Sequence, residues 1–236
     1  LFIPAPHSDK AVIFLHPSGK KAVVSPGEEL EFLLKKGILV LAPDMIGTGE
    51  TGPGILTGDS EIDSISYNLW FTAVITGRSL TGIRAGDVSK LAALLAKKHG
   101  IKEVNAMAAG EMAPVLLHAA AFNDNIRRIA LIGPYSSYGS IVVNRFYKPA
   151  FVHSIVPGAL TGYDLPDLAA SLAPRNLLLL NVTDGCGHRD DPASINRDIR
   201  IIRNGYNKKL ADVKLITGSY FSARELSDYL GKWLEQ

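Results

Sequence analysis

The feature that most limits what this chain can become is a regular alternation. Six short apolar runs, at residues 11–15, 38–42, 104–107, 129–132, 177–181 and 213–216, are separated by longer segments of helical period. Runs that stay apolar without a polar alternation fit strands covered on both faces. Strands alternating with helices are the pattern of a mostly parallel sheet with helices on both sides, here about six strands. The expected fold class is therefore α/β. Helix punctuation agrees. Ser25-Pro26-Gly27-Glu28 joins a cap, a Pro at the first helical position and a Glu three residues after the cap, and Gly37 closes that helix. Val88, Leu91, Ala92 and Leu95 share one face of a helix ending at Gly100. Ser222 and Glu225 form a second capping box, followed by Leu226, Leu230, Trp233 and Leu234 at helical spacing, so a docked helix is expected there.

A chain of 236 residues can bury one sizeable core, and residues 1–236 read as a single domain. A hydrophobic fraction of 47% with 20% charged residues excludes disordered and fibrous classes. Every apolar stretch is broken within a few residues, so no membrane partner is expected. Net charge is +2, and the basic residues fall in scattered pairs such as Lys35 and Lys36 or Lys97 and Lys98, which read as solvated helix ends. No nucleic-acid partner is expected. The single Cys186 excludes an internal disulfide framework and leaves localisation open. The opening Leu-Phe-Ile-Pro, without Met or leader, reads as a processed product or a domain cut from a longer chain.

Two excursions interrupt the alternation. Residues 47–78 are rich in Gly, Ser and Thr, and residues 134–166 carry Tyr135, Tyr138, Phe146, Tyr147, Phe151 and Tyr163 among turn residues. Long excursions after strands often cover sites. The aromatic one is expected to pack as a cap rather than to stack on sugars. Gly47-Thr48-Gly49 is no phosphate loop, because Glu50 would repel a phosphate.

Three segments at strand ends carry the chemical signal. The first run leads into His16-Pro17-Ser18-Gly19-Lys20, the second into Pro43-Asp44-Met45-Ile46-Gly47-Thr48-Gly49-Glu50, and the third into Ala106-Met107-Ala108-Ala109-Gly110. With Asp167 to Arg175, the strand after it and Asp184, these segments resemble the α/β-hydrolase superfamily over nearly the whole chain. Their wording is most similar to bacterial acetyl-xylan-esterase-type proteins. The resemblance implies the α/β-hydrolase fold, with two further family strands expected ahead of the first one found here. It also implies a Gly-x-Ser-x-Gly turn, and Ala108 falls at the nucleophile position. The acid position falls at Asp184, and the His expected in Thr217 to Phe221 is absent, since no His follows His188. Backbone around His16, Ser18, Gly19 and Ala109 would supply the oxyanion and substrate contacts. A triad works as a unit, and without it a scaffold keeps only about 10³ to 10⁴-fold over water.

Another constellation stands at residues 183–191, where Asp184, Cys186 and His188 share one loop with Asp190 and Asp191. Cys186 and His188 could act as nucleophile and base, or could ligate a metal with an Asp. The spacing matches no metal signature and the glycines mark a turn, so no metal and no cofactor are expected. Ser18, Ser136 and Ser137 are commonplace turn residues; Glu111 suits a helix N-terminus, and His118 reads as a satisfied helix residue.

The expected function is that of an esterase-like domain, degenerate and non-catalytic, associated with acylated carbohydrate of the acetyl xylan type. Its partners would be an acylated carbohydrate or small ester, or an active hydrolase domain of the same chain. The first alternative is an active carboxylic ester hydrolase with relocated residues, and the second is a structural module of a multidomain polysaccharide-processing protein. If the carbohydrate-esterase resemblance holds, the protein is secreted or periplasmic.

Overall fold

A computed structural model describes residues 1–4, 8–24, 28–52, 59–62, 65–98, 100–189, 192–210 and 214–235. In chain order the elements are β1 (Lys10–Leu15), α1 (Lys20–Val24), α2 (Glu28–Lys35), β2 (Leu39–Leu41), β3 (Glu61–Ile62), β4 (Ile65–Ser66), α3 (Tyr67–Ile75), α4 (Leu80–Lys98), β5 (Glu103–Ala109), α5 (Ala113–Ala121), β6 (Ile126–Ile132), α6 (Tyr138–Val142), α7 (Leu165–Ser171), β7 (Asn176–Leu180), α8 (Pro192–Lys208), β8 (Leu215–Gly218) and α9 (Ala223–Glu235). Six strands form one sheet in the order β2-β1-β5-β6-β7-β8, every neighbouring pair parallel. Among the described residues the two-residue strands β3 and β4 pair only with each other. At the edge, Phe2 bridges antiparallel to Val40 of β2.

The pleat sends alternate side chains to opposite faces, and the core divides accordingly. Ala11, Ile13, Leu15, Ala106, Ala108, Ile129, Leu131, Leu177 and Leu179 meet α4, α5, α7 and α8 on one face. Val12, Phe14, Val40, Met107, Ala130, Leu178 and Leu180 meet α1, α2 and α9 on the other. The central strands are apolar along most of their length because both faces are covered there. No described helix is long and apolar enough to cross a membrane.

Several strand boundaries differ from those expected. β5 runs two residues past its expected end, through Ala108 and Ala109, and β6 starts at Ile126. The last strand lies at Leu215–Gly218, later than expected, and Val213 is outside the described residues. So are the cap residues 25–27 ahead of α2. Gly37 follows that helix with φ +72, a left-handed closure that favours glycine. At α9 the Ser222 Oγ accepts the Glu225 N–H at 3.3 Å. The Glu225 carboxylate accepts the N–H of Phe221 at 2.7 Å, one residue upstream of the expected box. Leu226, Leu230, Trp233 and Leu234 are buried beneath that helix as their spacing required.

The excursion at residues 134–166 packs only in part, since Phe146 and Tyr147 are exposed. Tyr135, Tyr138 and Phe151 are buried, with the Tyr135 and Phe151 ring centroids 4.5 Å apart. Both tyrosine hydroxyls are satisfied on Ser154, at its Oγ (2.8 Å) and its carbonyl oxygen (3.0 Å). Asp164 ties the excursion to itself, accepting the N–H groups of Tyr138 (2.7 Å) and Gly139 (2.9 Å) and capping α7.

Candidate functional site

The strand order locates the site. From β1 the chain moves outward to β2, then returns to β5 on the other side of β1. The loops leaving the C-terminal ends of β1 and β5 therefore diverge to opposite faces, and a crevice opens at such a switch point. A cleft of about 570 Å³ lies there, lined by His16, Pro17 and Ser18 after β1, by Gly47, Thr48, Gly49 and Gly52 after β2, by Ala109, Gly110 and Glu111 at the end of β5, and by Lys148 and Ala150 from the aromatic excursion.

Asp44 holds the first two of these loops together. Its carboxylate, only 6% exposed, accepts the N–H of Lys20 at 2.7 Å and of Glu50 at 3.1 Å, and the Lys20 ammonium lies at 3.3 Å. Burial acts to raise its pKa, but those N–H groups and the Lys20 charge outweigh it and hold the carboxyl below its usual value. Gly19, with φ +76, has no room for a Cβ against Asp44. Gly19 is thus a packing residue rather than a cleft residue, which corrects its expected substrate-contact role. Arg84 supports the same loop from below; its fully buried guanidinium donates to the Ile46 carbonyl at 2.8 and 3.0 Å. Burial lowers its pKa to about 10.

At the end of β5 the structure departs from the sequence reading. Ala108 has no exposed surface. It lies inside the strand, in register with Leu15 of β1 and Leu131 of β6, and its methyl belongs to the core under α5. The sharp strand-to-helix turn falls two residues later, at Gly110, with φ +47, followed by a 3-10 turn over Gly110–Met112. Nothing about Ala108 and Ala109 prevents extended pairing, so the strand continues until glycine offers the left-handed region. The local signal that would have found this is the first Gly after an unbroken apolar run.

The expected oxyanion donors are partly committed elsewhere. The Ser18 N–H donates to His16 Nδ1 at 3.1 Å, and the Gly19 N–H to the His16 carbonyl at 3.0 Å. Pro17 has no N–H. Ala109 is extended and in register with Ile132. His16 remains at the cleft wall as a half-buried ring whose Nδ1 accepts, which leaves the proton of the neutral form on Nε2. Burial lowers its pKa and the nearby Glu111 partly restores it.

Asp184 lies beyond β7, buried, where the acid was expected. Its Oδ1 accepts the N–H of Cys186 (2.8 Å) and of His188 (2.9 Å), so it organises its own loop. One ligand atom from each of Asp184, Cys186 and His188 falls within 4.8 Å of the others. Cys186 and His188 are not joined as nucleophile and base, because the thiol donates to the Phe146 carbonyl at 3.0 Å. Asp190 and Asp191 are outside the described residues. The loop after β8 comes close through Asn181, whose Oδ1 accepts from the Tyr220 N–H (3.0 Å) and from Arg189 (3.2 Å). That loop carries Ser219, Tyr220 and Phe221 and no imidazole.

A second hollow of about 270 Å³, lined by Cys186 and His188, shares Gly110, Glu111 and Lys148 with the cleft. The Glu111 carboxylate, 13% exposed, pairs with the Lys148 ammonium at 2.9 Å, and the Lys148 N–H holds the Gly185 carbonyl at 2.9 Å. Sequence reasoning missed Lys148 entirely; a lysine 37 residues from its partner carries no local signal. The other candidates have structural duties. Ser136 donates to Asp198 at 2.6 Å, Ser137 caps α6, and His118 bridges the Pro114 carbonyl (2.7 Å) and the Tyr163 hydroxyl (2.8 Å).

Comparison with solved structures defines the class of architecture. A Bacteroides fragilis protein assigned provisionally as an acetyl xylan esterase superposes with a TM-score of 0.68 at 13% identity, over 89% of this chain and 58% of its own. A cold-adapted esterase from an Arctic intertidal metagenomic library gives 0.60 at 15% identity, over 98% of this chain and 86% of its own. The Pyrococcus furiosus esterase Pf2001 gives 0.58 at 17%, over 96% and 82%. This chain thus spans little more than half the length of the Bacteroides protein. No protein-family model matches the sequence, and no curated protein matches it. With its parallel sheet and these esterase neighbours, the chain has the α/β-hydrolase fold.

Proposed function

We propose that this is an esterase-type domain that keeps a substrate-sized cleft and has lost the hydrolytic triad, and that it binds an acylated carbohydrate without turning it over. The observation that carries the reading is Gly110. In this architecture the nucleophile sits on the strained turn between strand and helix, with its side chain presented upward. Here that turn is made by a residue with no side chain, beneath an open cleft. The reading therefore moves the vacant position from Ala108 to Gly110. Hydrolysis would also need a base, and the loop after β8 offers none.

Binding is supported by the volume of the cleft, which lies in the 300–1,000 Å³ range of small-ligand sites. Its walls offer a ring N–H at His16, the Ser18 hydroxyl and the Lys148 ammonium, donors suited to sugar hydroxyl and ester carbonyl oxygens. The choice of an acetylated sugar rests on the sequence resemblance and on the name given to the Bacteroides protein. A secreted or periplasmic location belongs to the same reading.

Titration of acetylated xylo-oligosaccharides into the purified chain, followed by amide NMR, tests it. Shifts at Ser18, Gly110 and Glu111 with no acetate released are expected. Acetate release well above the uncatalysed rate overturns the non-catalytic reading; if alkylation of Cys186 stops it, the relocated hydrolase with Cys186 and His188 is the answer. No shifts at any concentration leave the structural module of a polysaccharide-processing protein, packed on an active hydrolase domain.

A further inference from the structure

We infer that Asp184, Cys186 and His188 form a binding site for a thiophilic divalent transition ion of the zinc class. The site is distinct from the ester-binding reading above and does not depend on it.

The loop is built to present these three residues together. Donors and glycines alternate from Asp184 to His188, and the structure needs glycine at both intervening positions. A Cβ on Gly185 would overlap the Ser140 carbonyl, and Gly187 has φ +81. One ligand atom from each of the three residues lies within 4.8 Å of the other two. Zinc bonds of about 2.0–2.3 Å at tetrahedral angles place ligand atoms roughly 3.3–3.6 Å apart. The remaining closure is on the order of 1 Å, within reach of side-chain rotation at Cys186 and at exposed His188.

The donor set decides the ion. Asp184 Oδ1 is held by two backbone N–H groups, and Oδ2 makes no hydrogen bond among the described residues, so the carboxylate is both fixed and available. A thiolate and an imidazole beside one carboxylate favour zinc or cobalt over magnesium or calcium. Three protein ligands leave a fourth position for water, and the hollow of about 270 Å³ on this side gives it room. The only cation lining that hollow among the described residues, Lys148, is paired with Glu111. Binding requires Cys186 to give up its proton and leave the Phe146 carbonyl. Proton release on metal addition is therefore expected.

The test uses the full chain, without a polyhistidine tag, reduced and stripped of metal, titrated with Co²⁺ and then with Zn²⁺. A 1:1 complex with a thiolate-to-cobalt charge-transfer band, displaced by Zn²⁺, is expected. Because Cys186 is the only cysteine, that band reports this site alone. Cys186→Ser should abolish the band, and His188→Ala and Asp184→Asn should each weaken binding on the order of 100-fold with unchanged circular dichroism. Asp184→Asn retains an oxygen acceptor for the loop, which separates ligation from folding. Absence of the band in the parent chain, or unchanged affinity in His188→Ala or Asp184→Asn, overturns the site.

Discussion

A side chain added at Gly110 would meet the Pro17 ring at 3.6 Å and nothing nearer. That is ordinary van der Waals contact, so the turn at the end of β5 has room for a side chain. Gly110→Ser should therefore fold, losing about 1–2 kcal/mol to the left-handed backbone at φ +47. It should remain inactive on p-nitrophenyl acetate, since a serine without a base is a poor nucleophile. Melting temperature and initial rates check both halves. Turnover by this single variant far above the background would show that a base is already present in the cleft.

Glu111 and His16 are coupled through space. Burial lowers the His16 pKa, and Glu111 opposes that shift. Removing the charge with Glu111→Gln should make His16 titrate at a lower pH than in the parent chain. Two-dimensional NMR of the imidazole protons reads this directly. An unchanged or raised pKa would mean that the Lys148 pairing already cancels the Glu111 charge at His16.

Asp44→Ala removes the acceptor for two backbone N–H groups in the loops that frame the cleft. A loss of about 3 kcal/mol or more is expected, since each hydrogen bond to a charged group contributes about 1.5–3 kcal/mol. The pH dependence has a definite sign. Folding holds this carboxyl below its ordinary 3.8, so its stabilisation is present above that value and is lost as pH falls through the lower folded pKa. The stability gap between the parent chain and Asp44→Asn should be larger at pH 6 than at pH 3. Chemical denaturation at the two pH values measures it, and a constant gap would assign the effect to packing.

Gly185 and Gly133 separate two reasons for glycine. A Cβ on Gly185 would collide with backbone of Ser140, while Gly133 has φ +63 and nothing within 4 Å of its missing Cβ. Gly133→Ala should cost about 1–2 kcal/mol, a conformational penalty only. Gly185→Ala should cost more than about 3 kcal/mol, because rigid backbone must move in a packed core. Equal losses in urea denaturation would contradict the close approach at Gly185.

Much of the fold was legible because buried parallel strands and amphipathic helices write their periods into the chain. Leu226, Leu230, Trp233 and Leu234 announced α9, and the run at residues 177–181 announced β7, since burial on both faces leaves little choice of residue. The site was legible only in outline. The Gly-x-Ser-x-Gly template fits a run of small residues in more than one register, and Ala106 to Gly110 offered no polar atom to fix it. Strand pairing with Leu15 and Leu131 chose the register and placed the turn at Gly110.

What the sequence determined alone was local or periodic: the layered α/β architecture and the missing imidazole after His188. What only the tertiary structure decided involves partners far apart in the chain. Asp44 joins the loops after β1 and β2, Glu111 pairs with Lys148, and the Cys186 thiol goes to Phe146 rather than to His188. The physical reason is that burial constrains residue type at a fixed spacing, whereas a hydrogen bond or ion pair requires only that two groups meet. Chain folding alone decides which ones do.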